Sequence, residues 1–166
     1  MMKSRVVMML AAVALVSGCA GSGPGGGPAP VTDWEAVLTG NNVVPPASTT
    51  ASGTARLWLD GSDALHFVIG VAGMTTADDA RLYGGPPNQN GTPFVTFCGP
   101  CTVTNGILAA GRVRPQGITQ GDLLNLVRTY GTYIEIRNGG AGLLRGQVRN
   151  IATVEARSAS PLSPSF

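Results

Sequence analysis

Residues 52–71 read SGTARLWLDGSDALHFVIGV, and this stretch decides the fold. Two runs of alternating character flank Asp60-Gly61-Ser62-Asp63. Alternation with period two marks a half-buried strand, because successive side chains point to opposite faces. Two such runs around a Gly- and Asp-rich turn predict a β-hairpin. In the second arm Leu65, Phe67, Ile69 and Val71 fall on one face, and His66, Val68 and Gly70 on the other.

The same period extends outward in both directions. In DWEAVLTG (33–40), Trp34, Ala36 and Leu38 alternate with Glu35, Val37 and Thr39. Further strands are expected at 80–83, 94–97, 107–113, 133–137 and 143–154, punctuated by glycines and prolines at short intervals as in sandwiches and barrels. One segment departs from the rhythm. In TQGDLLNLVRTYG (119–131), Thr119 suits an N-cap and Asp122 falls where a carboxylate favours a helix N-terminus. Leu123, Leu124 and Val127 form an apolar stripe, and Gly131 can end the turn. A short helix crossing between strands is expected, its stripe packed into the core.

The first residues carry Lys3 and Arg5, then an apolar run from Val6 to Val16 that is too short to span a bilayer. Val16-Ser17-Gly18-Cys19 resembles a bacterial lipobox, which implies lipidation of Cys19 and removal of residues 1–18. The expectation is an envelope lipoprotein held by its lipid anchor, in the outer membrane where the cell has one, facing the periplasm or the cell surface. Residues 19–32, with GSGPGGGPAP inside them, read as a flexible tether. Residues 33–156 read as one domain, and the Ser/Pro-rich 157–166 as a frayed tail.

Charge and chemistry narrow the function. The chain has 11 Lys+Arg and 9 Asp+Glu; losing Lys3 and Arg5 with the signal leaves nine of each and no lysine. Such a neutral chain has no electrostatic footprint for nucleic acid. With His66 as its one histidine and no nucleophile elbow, serine chemistry has no support, and no cofactor fingerprint occurs. Phe97-Cys98-Gly99-Pro100-Cys101 looks like a thiol-disulfide oxidoreductase motif. Redox pairs of this type, however, use a helix N-terminus to lower a thiol pKa. Here both flanks, 94–97 and 102–104, favour strand. With Cys19 taken by lipid, Cys98 and Cys101 are expected to form a structural disulfide; redox catalysis is the alternative.

AVLTGNNVVPPASTTASGTARLWLDGSDALHFVIGVAGM (36–74) resembles the opening of a chordin-type (CHRD) domain. The likeness continues through the Gly-rich loop Gly84-Gly85-Pro86-Pro87-Asn88-Gln89-Asn90-Gly91, a threonine-capped Leu-rich helix, a Tyr-x-x-Ile strand and Leu144-Arg145-Gly146-Gln147, over residues 34–148. The resemblance implies an all-β, immunoglobulin-like antiparallel β-sandwich of the kind found in bacterial envelope proteins and in the growth-factor antagonist chordin. Many relatives carry His-Ile-His before the Gly-rich loop and a further His later; here Arg81-Leu82-Tyr83 and Arg137 stand at those positions. A histidine metal site is therefore not expected, and metal binding is a second alternative only. Arg81, Tyr83 and Arg137 instead suit a cationic patch for an anionic ligand or an envelope protein, or else the arginines pair with Asp78 or Asp79. Arg145 joins these candidates, or ties neighbouring loop carbonyls. The expected function is a non-enzymatic binding or assembly module.

Overall fold

The hairpin forms as its alternation requires. The computed structural model describes residues 33–60, 64–129 and 131–151. The expected signal, Cys19, the tether, the hairpin tip 61–63, residues 152–156 and the tail lie outside the described residues. Strand β1 is Asp33–Thr39, followed by a 3-10 turn at Gly40–Asn42. The hairpin arms are β2, Ser52–Leu59, and β3, Leu65–Ala72. Then come β4, Thr76–Ala77; β5, Asp79–Gly84; β6, Thr92–Cys98; β7, Cys101–Thr102; and β8, Ile107–Arg112. Helix α1, Gln120–Arg128, precedes β9, Thr132–Asn138, β10, Ala141–Gln147, and β11, Arg149–Asn150.

The chain is all-β and antiparallel. One ladder runs β6-β5-β9-β10-β1-β2-β3-β8, with β11 pairing β1, and β4 pairs β7 in a separate two-stranded piece. The path rolls until its two ends, β6 and β8, touch without pairing, so the layers of the sandwich are continuous and the outline approaches a barrel. Across the interior the Phe67 and Phe97 rings meet with centroids 4.5 Å apart.

The inward residues are those the period selects. Trp34, Ala36 and Leu38 of β1, and Leu65, Phe67, Ile69 and Val71 of β3, are buried in one core cluster. Each fully buried large side chain there contributes about 1.5–3 kcal/mol by leaving water. Thr119 caps α1 with a full capping box: its Oγ1 accepts from the Asp122 N–H, and the Asp122 carboxylate accepts from the Thr119 N–H. Leu123 and Val127 are buried, while Leu124 packs at the margin.

The final expected strand, 143–154, is interrupted. β10 ends at Gln147, and the buried Val148 donates its N–H to Thr132 O before β11 resumes against β1. Just before the break β10 passes close to β1 at Gly146, where any Cβ would stand 2.3 Å from Val37 O. Only glycine lets β10 lie so near β1.

Candidate functional site

Three central strands present a nine-position checkerboard on their outward face. In β9, Ile134 and Ile136 point into the core, so Tyr133, Glu135 and Arg137 point out. In β5, Ala80 and Leu82 point in, leaving Asp79, Arg81 and Tyr83 outside. Register with β5 and β10 aligns Tyr83–Tyr133–Gln147, then Arg81–Glu135–Arg145, then Asp79–Arg137–Gly142. Opposite charges thus stand beside one another across strands, the arrangement that favours pairing.

The top row is aromatic. Tyr83 and Tyr133 stack with centroids 5.1 Å apart and planes 4° from parallel. The Arg145 guanidinium carbon lies 3.4 Å from the Tyr133 centroid, a cation–π contact.

Arg145 itself is buried, 1% exposed, although it faces outward. The Gly-rich loop, residues 84–91, wraps it. Arg145 Nη1 donates to Asn90 Oδ1 at 3.0 Å, and Nη2 donates to Pro86 O at 3.1 Å and Gln89 O at 2.6 Å. Gln147 Nε2 donates to Gly85 O, and the Gly91 N–H donates to Tyr133 Oη. Gly91 closes the loop where a Cβ would stand 1.5 Å from Gly84 O, so no other residue fits. Of the two roles expected for Arg145, tying loop carbonyls is the one its hydrogen bonds express.

Arg81, Tyr83 and Arg137 do share one face. Arg81, however, is turned to Asp79, at 3.0 Å. Arg137 Nη2 donates to Gly140 O at 2.6 Å, and the Gly140 N–H donates to Asp78 Oδ2 at 2.8 Å. The patch is therefore balanced by Asp78, Asp79 and Glu135 rather than purely cationic.

Over this face hangs the Val43-Val44-Pro45-Pro46 loop, joined to the Gly-rich loop by the Asn90 Nδ2 bond to Val44 O. Beneath it is a groove of about 520 Å³, lined by Val44, Pro46, Tyr83, Glu135, Arg137 and Gly142 among others. That size suits a small ligand. A second groove of about 580 Å³ lies on the other side of the loop, against Val37 and Pro87.

The groove holds an unusual carboxylate. The Glu135 side chain is only 12% exposed, and its nearest cation, Arg145 Nη1, is 3.9 Å away, beyond hydrogen-bond reach. Burial raises its pKa above the usual carboxylate range, Asp79 adds to the rise, and Arg145 and Arg137 oppose it. Burial likewise pushes the Tyr83 phenol up, helped by Glu135 and Asp79. Glu135 and Tyr133 were missed by sequence reasoning, although the alternation of Tyr133, Glu135 and Arg137 against Ile134 and Ile136 was there to find them.

The remaining candidates lie elsewhere. Among the described residues no three or more His, Cys, Asp or Glu side chains converge as a metal site. His66 stacks on Trp58, with Nε2 2.8 Å from Asp60 Oδ2. Cys98 and Cys101 form a disulfide with Cα atoms 5.5 Å apart. It joins the end of β6 to the start of β7, and Cys101 is 3% exposed. The chain continues from the pair as strand β7 and no helix begins there, so the feature that activates redox thiols is missing at that point.

No curated protein and no solved structure matches this chain. The CHRD domain model matches residues 34–148, which takes in the hairpin, the Gly-rich loop, α1 and the β9–β10 checkerboard. Residues 34–148 being most of the 166-residue sequence, the chain belongs to the CHRD domain family.

Proposed function

We propose that this β-fold binding module works as a lipid-anchored protein of the bacterial cell envelope, without enzymatic activity, capturing its ligand in the groove beneath the Val43-Val44-Pro45-Pro46 loop. One observation carries the reading: Tyr83, Glu135 and Arg137 converge on a groove with an apolar wall and a few polar groups. Such a composition is characteristic of ligand sites. Among the described residues the Tyr83 hydroxyl has no hydrogen-bond partner, Arg137 makes a single side-chain hydrogen bond, and Glu135 makes none.

The anchor reading rests on the lipobox-like Val16-Ser17-Gly18-Cys19 and the basic and apolar residues before it. It is tested by growing cells with labelled palmitate. Wild type incorporates label and fractionates with membranes; Cys19→Ser does neither. Label on Cys19→Ser would end it.

The groove reading is tested by capture from envelope extract. Arg137→Ala and Tyr83→Phe are expected to lose the captured ligand while Arg137→Ala keeps the wild-type melting temperature. Capture unchanged in both variants would remove the groove from the function.

A further inference from the structure

We infer that the groove binds a zwitterion of amino-acid type, its ammonium received by Glu135, its carboxylate by Arg137, and its apolar side chain by Val44, Pro45 and Pro46. This deepens the groove reading above and rests on it.

The charges that line the groove are Glu135 and Arg137, two residues apart on the outward face of β9. Their Cα atoms are therefore about 6.5–7 Å apart, set by the rise of about 3.3 Å per strand residue. Side chains from those positions can reach the two ends of one α-amino acid. Other nearby ions are committed. Arg81 is held by Asp79, Asp78 accepts from the Gly140 N–H, and Arg145 is consumed by three bonds to the Gly-rich loop.

Both lining groups retain capacity. A carboxylate offers about four acceptor sites, and a guanidinium five N–H donors. Among the described residues nothing donates a hydrogen bond to Glu135, although it is largely withdrawn from water, and Arg137 uses its guanidinium once, on Gly140 O. Arg145 Nη1, 3.9 Å away, pairs with Glu135 in charge without a hydrogen bond, and a ligand ammonium would supply the donors, in surroundings where an unmade hydrogen bond is costly. A purely anionic ligand at Arg137 would face Glu135, and a purely cationic one at Glu135 would face Arg137. A ligand carrying both signs on a small frame is complementary to the pair.

Space and shape agree. Gly142 stands beside Arg137 in register, where a Cβ would lie 3.2 Å from Glu135 Oε1 and 2.6 Å from Val43 Cγ1. Its lack of a side chain lets Val43 and the Glu135 carboxylate pack close against the β10 backbone at the edge of the groove. The wall of Val44, Pro45 and Pro46 offers an apolar surface above the two charges.

The test titrates the full chain with three compounds by calorimetry: L-leucine, isopentylamine and 4-methylpentanoate. The last two keep the leucine side chain and one charge each. Leucine is expected to saturate one site, with each single-charge compound about tenfold weaker or worse, the cost of one lost charged hydrogen-bonding partner. In Glu135→Gln the preference for leucine over 4-methylpentanoate disappears; in Arg137→Gln the preference for leucine over isopentylamine disappears. Both variants keep the wild-type circular dichroism spectrum. Equal binding of 4-methylpentanoate and leucine would overturn the inference in favour of a simple anion site. Equal binding of isopentylamine would overturn it in favour of a cation site, and no binding by leucine or by a panel of other amino acids would end it. If the panel fails while Arg137→Ala still abolishes capture from extract, the zwitterion is wrong and the groove reading stands. If both fail, both readings fall.

Discussion

The β5–β6 hairpin is held at both ends, by different means. At one end Cys98 and Cys101 close a covalent turn, and Gly99 lies against Asp78 and Asp79 at the entrance to β5. At the other end the Gly-rich loop closes around Arg145, which arrives from β10, 55 to 59 residues away in sequence. The first tie is local and closes a very short ring. The second fastens three layers of chain at once: the loop, the Tyr83–Tyr133 stack and the β9–β10 ladder. A buried cation with several acceptors is costly to remove because its partners remain behind, buried and unpaired.

Arg145→Ala should therefore be the most damaging change, lowering unfolding free energy by about 3–5 kcal/mol in urea denaturation. Arg145→Lys keeps the charge but not the planar fork, and should lose about 2 kcal/mol. Full retention of stability by the lysine variant would mean that charge alone holds the loop.

The Cys98→Ser/Cys101→Ser double variant should lose less. Chain-entropy reasoning for so small a ring gives about 2 kcal/mol. Hydrogen exchange sharpens the contrast between the two ends. Arg145→Ala should expose the Gly85 and Gly91 amides, which bond to Gly131 O and Tyr133 Oη, while the serine variant should expose the Val103 amide on Thr75 O. If both variants open the same amides, the two ties belong to one cooperative unit and the contrast is broken.

The difference in range also explains what could be read from sequence. Alternation around Trp34, Leu38, Leu65 and Ile69 is a local pattern, and it selects the core residues that are buried. The Thr119 cap and the Cys98–Cys101 bridge each depend on residues three apart. Register between β5, β9 and β10 is not local. The pairing of Arg81 with Asp79, two residues away, is one of the readings the sequence offers, but nothing within Arg81-Leu82-Tyr83 says that Glu135 will stand opposite it. Arg145 was singled out through a family motif, but its burial depends on a loop made by residues far earlier in the chain. The single acidic residue of β9 was passed over because its meaning depends on the loop above it.

The half-buried arginines should behave unlike Arg145. Arg81→Ala leaves the Asp79 carboxylate, 13% exposed, without its cation and should cost about 1–2 kcal/mol. Arg137→Ala removes one bond to Gly140 O and should cost less than about 1 kcal/mol. A larger loss at Arg137 would make it a structural tie as well, and would weaken its assignment to ligand capture.

Glu135→Gln should have the smallest effect, and one that depends on pH. Burial raises the pKa of Glu135 in the folded protein above its unfolded value, so the folded state holds that proton more tightly. The stability this supplies is full below the unfolded pKa. It is lost as pH climbs through the raised folded value, and above that value the cost of burying the charge is constant. Glutamine carries no such cost at any pH. The stability of Glu135→Gln relative to wild type should therefore increase from acid toward neutral pH and then level off, as measured by paired urea titrations across that range. The opposite slope would show that attraction to Arg145 and Arg137 outweighs burial. Glu135 would then act as an internal counter-ion to the arginines, and the groove would no longer present a carboxylate in need of a donor.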